Sequence, residues 1–283
     1  MSAISARLVD DSGNVLLVMD RNTSGLMLKQ IDLGYPTVRE AASALSGMSG
    51  EWDVTQYTGG RAITAEVTLP VTGVGSVMDT VRGLMHPGRR MWLQVWRDDW
   101  GVYRQIRVRG ASLAQTSGAL PLTAQLGWKA PRPTFQDVTA TSQTLSPQAS
   151  AGGGVAFPVT LPVAFTPGLV PGASLLTVNG TANARPVVDI YGPCSGPLVR
   201  VADTGAQMSF TALTVNQGDY LHIDCDARTA TLNNNPAQSQ LQFLDFATSQ
   251  WLWLPPGSPQ IVFSPSSSSA PCNAVVSWRS QWL

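Results

Sequence analysis

Along most of this chain apolar and polar residues alternate with the two-residue period of half-buried strands. Ile4 to Met19 reads as two short strands around Asp11-Ser12-Gly13-Asn14, a cluster of turn formers, and so predicts a hairpin. A second extended pair is expected from Gly50 to Tyr57 and from Arg61 to Leu69, joined by Thr58-Gly59-Gly60. One segment has a helical period instead. Between Gly75 and His86, Val77, Met78, Val81, Leu84 and Met85 recur at spacings of three and four. Ser76 is placed to cap the start and His86 lies at a capping position near the end, where Pro87-Gly88 stops the helix. Strands follow at Met91–Trp96 and through Tyr103, Gln105, Arg107 and Arg109, joined across Asp98-Asp99-Trp100-Gly101, and then at Leu120–Trp128. The pattern stops at Pro131-Arg132-Pro133. Residues 1–133 are therefore expected to form a small, split β-barrel with one helix packed on it.

Residues 134–154 read as a linker, rich in Ser, Thr, Gln, Ala and Gly and ending in Gly152-Gly153-Gly154. Residues 155–283 show no helical period. Short strands are expected at Ala184–Tyr191, Leu198–Val201, Met208–Leu213, Tyr220–Asp224, Thr229–Leu232, Trp251–Leu254, Gln260–Phe263 and Val275–Trp278, the pattern of a jelly-roll sandwich. The polar tract Ser264–Ser269 is expected to be an exposed loop.

Composition narrows the function classes. The chain of 283 residues is 43% hydrophobic and only 13% charged, a folded rather than disordered balance. Its formal net charge is zero, and no stretch concentrates cations as a phosphate-tracking surface does, so nucleic acid is not an expected partner. All basic residues except Lys29 and Lys129 are arginines, a bias suited to a GC-rich host. No signal-peptide pattern opens the sequence, no run approaches the roughly 20 apolar residues of a membrane-spanning helix, and no membrane insertion is expected. Cys194, Cys225 and Cys272 fit neither a disulfide framework nor a metal knuckle and read as buried thiols.

Catalytic constellations are sparse. Asp224 and Asp226 share a strand face and have the residue types of a carboxylate or Ca²⁺ cluster, but they also read as a strand end entering a turn. Neither His86 nor His222 lies in a nucleophile motif, and His222 and Cys225 fall on opposite faces of their strand, which disfavours zinc. The triglycine lacks the Lys-Ser or Lys-Thr of a phosphate loop. No enzyme activity, cofactor or metal is expected. Trp92 and Trp96 share one face, as do Trp251 and Trp253; core packing explains them, and an exposed subset would be an interface or a glycan shelf. Arg89, Arg90, Arg104, Arg107 and Arg109 form the densest basic region, either a solvated face or a subunit contact in which Arg forks meet carboxylates.

Several stretches of the second half carry a family resemblance: Pro186 to Cys194 with its Gly192-Pro193, Gly218 to Asp224, Arg228 to Asn233, Trp253 to Gly257, and Ala274 to Arg279. In this order they resemble the carboxy-terminal domain of siphophage distal tail proteins, departing from it at Ser258-Pro259-Gln260, where the family commonly has Asn after Pro-Gly. The resemblance implies a structural virion protein at the distal end of the tail, assembled in the host cytoplasm. It further implies a hexameric ring built by the amino-terminal barrels, with a tail-tube protein above, and galectin-like or jelly-roll second domains that organise tip-hub and receptor-binding proteins. The competing reading is a carbohydrate-binding tail protein that contacts the host envelope.

Overall fold

The computed structural model describes residues 4–20, 26–39, 57–70, 73–115, 122–147, 173–267 and 272–283. It divides into two units, Met1–Val138 with Leu283, and Thr139–Trp282.

The first unit contains β1 (Ile4–Val9), β2 (Val15–Asp20), β3 (Leu26–Asp32), β4 (Val38–Arg39), β5 (Tyr57–Thr58), β6 (Arg61–Thr68), α1 (Val74–Leu84), β7 (Arg90–Arg97), β8 (Tyr103–Gln115), β9 (Thr123–Ala130) and β10 (Phe135–Asp137). Seven of these close a barrel in the order β8-β7-β1-β2-β3-β6-β9, with β9 returning to β8. Alternation places Leu8, Met19, Leu28, Ile63, Val67, Leu93, Ile106, Leu126 and Trp128 inside, all at most 1% exposed. The expected hairpin forms between β1 and β2, and the Asp10 carboxylate organises its turn by accepting N–H bonds from Ser12 and Asn14. These bonds, led by the one from the Asn14 side chain, hold the Asp10 carboxyl below its ordinary value.

The helix buries Met78, Val81 and Leu84 against the barrel core. Its end sits tightly on β8, where a Cβ at Gly110 would lie 2.1 Å from the Met85 carbonyl oxygen. Its capping differs from expectation. The helix starts at Gly73 in the left-handed region, and the Ser76 hydroxyl donates to the Gly73 carbonyl instead of receiving an N–H. Met85, not His86, is the C-terminal cap; His86 Nδ1 accepts from the Gly88 N–H in the turn beyond. Of the expected strand from Gly50 to Tyr57, all but Tyr57 lies outside the described residues.

The second unit contains β11 (Thr141–Leu145), β12 (Ala173–Leu175), β13 (Val187–Tyr191), β14 (Cys194–Val201), β15 (Gln207–Ser209), β16 (Thr214–Val215), β17 (Tyr220–Asp224), β18 (Thr229–Leu232), β19 (Gln260–Ser267), β20 (Asn273–Trp278) and β21 (Gln281–Trp282). One sheet runs β11-β20-β13-β17-β18 and a second runs β12-β19-β14-β15, with β16 beside β14. Phe210, Phe263, Leu252, Leu254, Val188, Ile223 and Trp278 belong to one buried cluster, the core of a sandwich. The chain passes from β13 to β14 through Gly192-Pro193, where a Cβ on Gly192 would lie 2.2 Å from the Asn216 carbonyl oxygen.

Three expectations change here. Within the stretch read as a linker, 135–137 and 141–145 are strands; β11 pairs with β20 and buries Leu145, and its exposed Thr, Ser and Gln suit an edge strand as well as a linker. The triglycine lies outside the described residues. Ser264–Ser267, read as the start of a loop, continues β19 against β14, while 268 and 269 lie outside the described residues. Trp251–Leu254 forms no strand, although Leu252 and Leu254 are buried.

Candidate subunit interface

The β7–β8 register sorts the five candidate arginines. Arg90 faces Arg109, and Arg109 faces Lys129 on β9, so three cations stand abreast on the outer wall. All three are exposed, and Arg89 follows at the exposed turn before β7. Like charges directly opposite one another on a sheet oppose the fold, by a few tenths of a kcal/mol to about 1 kcal/mol per pair. Such a row is favourable only where carboxylates or other anions meet it.

Arg107 lies on the same face, two residues along, opposite Trp92. It is already engaged: its guanidinium grips both Asp11 oxygens, at 2.5 and 2.9 Å, and stacks over the Trp92 ring at 4.9 Å. Beside it, Arg7 bonds Gln94 at 2.7 Å and lies 4.2 Å above the Tyr103 ring. Trp92 and Trp96 do share a face, but it is the half-buried outer wall, where they flank the arginines instead of filling the core.

Arg104 is set apart from the others. It pairs with Val95, whose side chain is fully buried, so it points to the opposite face of β8 and stacks on Trp100 at 4.6 Å. Burial pushes its pKa down, while Asp137 and Asp99 act in the other direction. The single basic region of the sequence is thus two groups on two faces. Lys129 was missed because the barrel-closing β8–β9 register, which includes a bulge between Gly110 and Ser112, cannot be read from spacing.

In the second unit, the Asp224 carboxylate accepts the Asp226 and Ala227 N–H groups at 2.8 Å and closes the β17–β18 turn. Among the described residues no group of three or more His, Cys, Asp or Glu side chains could hold a metal. His222 pairs across strands with Asp189 at 2.6 Å. Next to this pair, Tyr191 stacks on Tyr220 with ring centroids 5.4 Å apart. All three cysteines are buried free thiols. Burial pushes Cys225 up to about 12, and burial together with the neighbouring Cys272 does the same for Cys194.

Residues 179–282 match the family described as siphovirus-type tail component, C-terminal domain. The crystal structure of the SPP1 Dit protein, described as a paradigm of the hub adsorption apparatus in phages infecting Gram-positive bacteria, superposes with a TM-score of 0.65 at 12% identity, covering 98% of this chain and 99% of that one. The baseplate of phage P2, in its activated conformation with calcium, contains a chain that matches at 13% identity and TM-score 0.50, with 98% of each chain covered. At such identities the likeness is one of fold. No curated protein sequence matches significantly.

Proposed function

We propose, from the match of residues 179–282 to the siphovirus-type tail component family, that this chain is a distal tail protein, a non-enzymatic virion component whose barrels close a six-membered ring between the tail tube and the tail tip. Its sandwich offers surfaces that organise receptor-binding proteins. The supporting observation is that the fold likeness to a hub protein runs through both units, over 98% of this chain. The barrel supplies a route to self-association. Among the described residues the β2–β3 pairing covers only Met19 with Leu26 and Asp20 with Met27, and Val15–Val18 has a ladder on its β1 side alone. Val15 and Val18 are 48% and 40% exposed, an apolar edge that a neighbouring subunit can cover. The Arg90–Arg109–Lys129 row supplies the charge that orients such a contact.

Electron microscopy of the purified full-length chain tests this reading, with closed rings of sixfold symmetry as the expected result. A chain that stays monomeric at high concentration, or that forms open filaments, overturns it. A second reading, glycan binding by the sandwich, rests on the Tyr191–Tyr220 pair beside Asp189 and His222. Retention on a column of host cell-wall glycan, lost in Tyr191→Ala, distinguishes it.

A further inference from the structure

Arg61 opens β6, and its side chain alternates with the exposed Ala62 to share the inner face with Ile63, Ala65 and Val67. It is the only charged residue among the buried side chains described, at 5% exposure. Its Nε is fully enclosed and has no hydrogen-bond partner among the described residues. Its described contact is with a ring, the guanidinium carbon lying 5.1 Å from the centroid of Phe135. Phe135 packs on Trp100 at 5.7 Å, and Trp100 carries Arg97 at 5.0 Å and Arg104 at 4.6 Å. Three guanidiniums therefore surround one aromatic pair at the end of the barrel.

The carboxylates are unevenly shared among them. Asp99 bonds Arg97 at 2.9 Å, and Asp99 and Asp137 both act on Arg104. For Arg61 burial stands alone, with no carboxylate among the described residues acting against it. A ring face returns part of what a guanidinium loses on leaving water, but it accepts none of its five N–H donors in the in-plane geometry they require. A buried cation without an anion destabilises the chain that carries it, so a fold that keeps one has a use for the anion it lacks.

We propose that Arg61 anchors a carboxylate site at the mouth of the barrel, filled by an Asp or Glu side chain of a second copy of this chain or by a small free carboxylate. Arg61 supplies the fork, and the Phe135 ring packs against its guanidinium. Arg61 is the first residue of β6, which puts it at the barrel's end. The second-copy source rests on the ring reading above, whereas the free-carboxylate source does not.

The test uses full-length protein, wild type and Arg61→Met, with two readouts. One is the concentration at half-association by sedimentation. The other is the melting temperature as acetate replaces chloride at constant ionic strength. If a second copy fills the site, Arg61→Met melts at or above the wild type, yet its half-association concentration rises about thirtyfold or more, because the incoming carboxylate loses its partner. If the ligand is a small carboxylate, association is unchanged, and acetate raises the wild-type melting temperature saturably but leaves Arg61→Met unmoved. A wild type that never associates defeats the ring while leaving the acetate arm to decide this site. Arg61→Met with unchanged association and the wild-type acetate response overturns the proposal. Should Arg61→Met fail to fold, Arg61→Lys, which keeps the charge and loses the fork, is read on the same two scales.

Discussion

The outer wall of the barrel between β7 and β8 is built from arginines laid over aromatic rings, with Arg107 on Trp92 and Arg7 on Tyr103, and ends in the cationic row Arg90, Arg109 and Lys129. The outer face of the sandwich sheet from β11 to β18 carries a different chemistry. Its register sets Thr144, Val275, Asp189, His222 and Thr231 in one row, and its turns are held by local carboxylate and amide bonds such as those of Asp224 and Asn233. Both units bury an apolar core of similar kind. They differ in what they leave for a partner: a row of like positive charge and, among the described residues, an uncovered edge on the barrel, and on the sandwich a face whose charged groups, Asp189 and His222, pair with each other. Surfaces with unmet electrostatic demand are where association is oriented, which is why the proposed ring contacts are placed on the first unit.

The sharpest way to break this comparison is to damage one core at a time. Trp128 and Phe263 are fully buried in the barrel and the sandwich respectively. Truncating either to alanine removes about 3–5 kcal/mol from its own unit. Calorimetry of Trp128→Ala is expected to lower one transition and leave the other in place, with Phe263→Ala doing the reverse. Equal displacement of both transitions by either variant means the two units unfold as one.

A second difference can be sharpened with alkali. The described cysteines all lie in the sandwich, and Cys194 and Cys225 are pushed up to about 12 from an ordinary 9.0. A thiol whose folded pKa lies above its unfolded one contributes stability that is complete below pH 9 and is lost as pH rises towards 12, because the unfolded chain releases its protons first. Each thiol contributes a slope of about 1.4 kcal/mol per pH unit in that window. The sandwich transition should therefore fall more steeply than the barrel transition between pH 9 and 12, and Cys225→Ala should flatten it. Equal slopes in the two units count against the assignment.

How far these features were legible beforehand depended on whether they were local. The β1–β2 hairpin, the helix face of Met78, Val81 and Leu84, and the paired strands flanking Asp98-Asp99-Trp100-Gly101 are set by neighbours in sequence, and periodicity found them. Edge strands were harder. In β11, Leu145 is the only buried residue, so Thr141–Thr144 resembles a linker until β20 is seen beside it. Alternation also predicted burial at Trp251–Leu254, where Leu252 and Leu254 enter the core although the only pairing there among the described residues is the single bridge of Leu254 with Ala184. The candidate interface was legible as residue types but not as a surface. Whether Arg104 joins Arg107 or faces away follows from strand parity, but the company of Lys129 and the isolation of Arg61 follow from long-range register and from the placement of Phe135.

The smallest expected effect is the one that probes the barrel wall most directly. Asp11 neutralises Arg107 across 96 residues of sequence, yet its side chain is 62% exposed and that of Arg107 is 31% exposed. An ion pair so wet contributes about 0.5 kcal/mol at low salt, and less as salt screens it. Asp11→Asn should accordingly lower the barrel's melting temperature slightly in dilute buffer and by nothing measurable in 1 M salt. The same change frees Arg107 to add its charge to the row of Arg90, Arg109 and Lys129 on the same outer wall. If that row meets carboxylates of a neighbouring copy, Asp11→Asn strengthens low-salt association even as it weakens the monomer. If the row is only a solvated face, stability and association fall together or association does not change, and the charge assigned to the ring contact has to be sought elsewhere on the barrel.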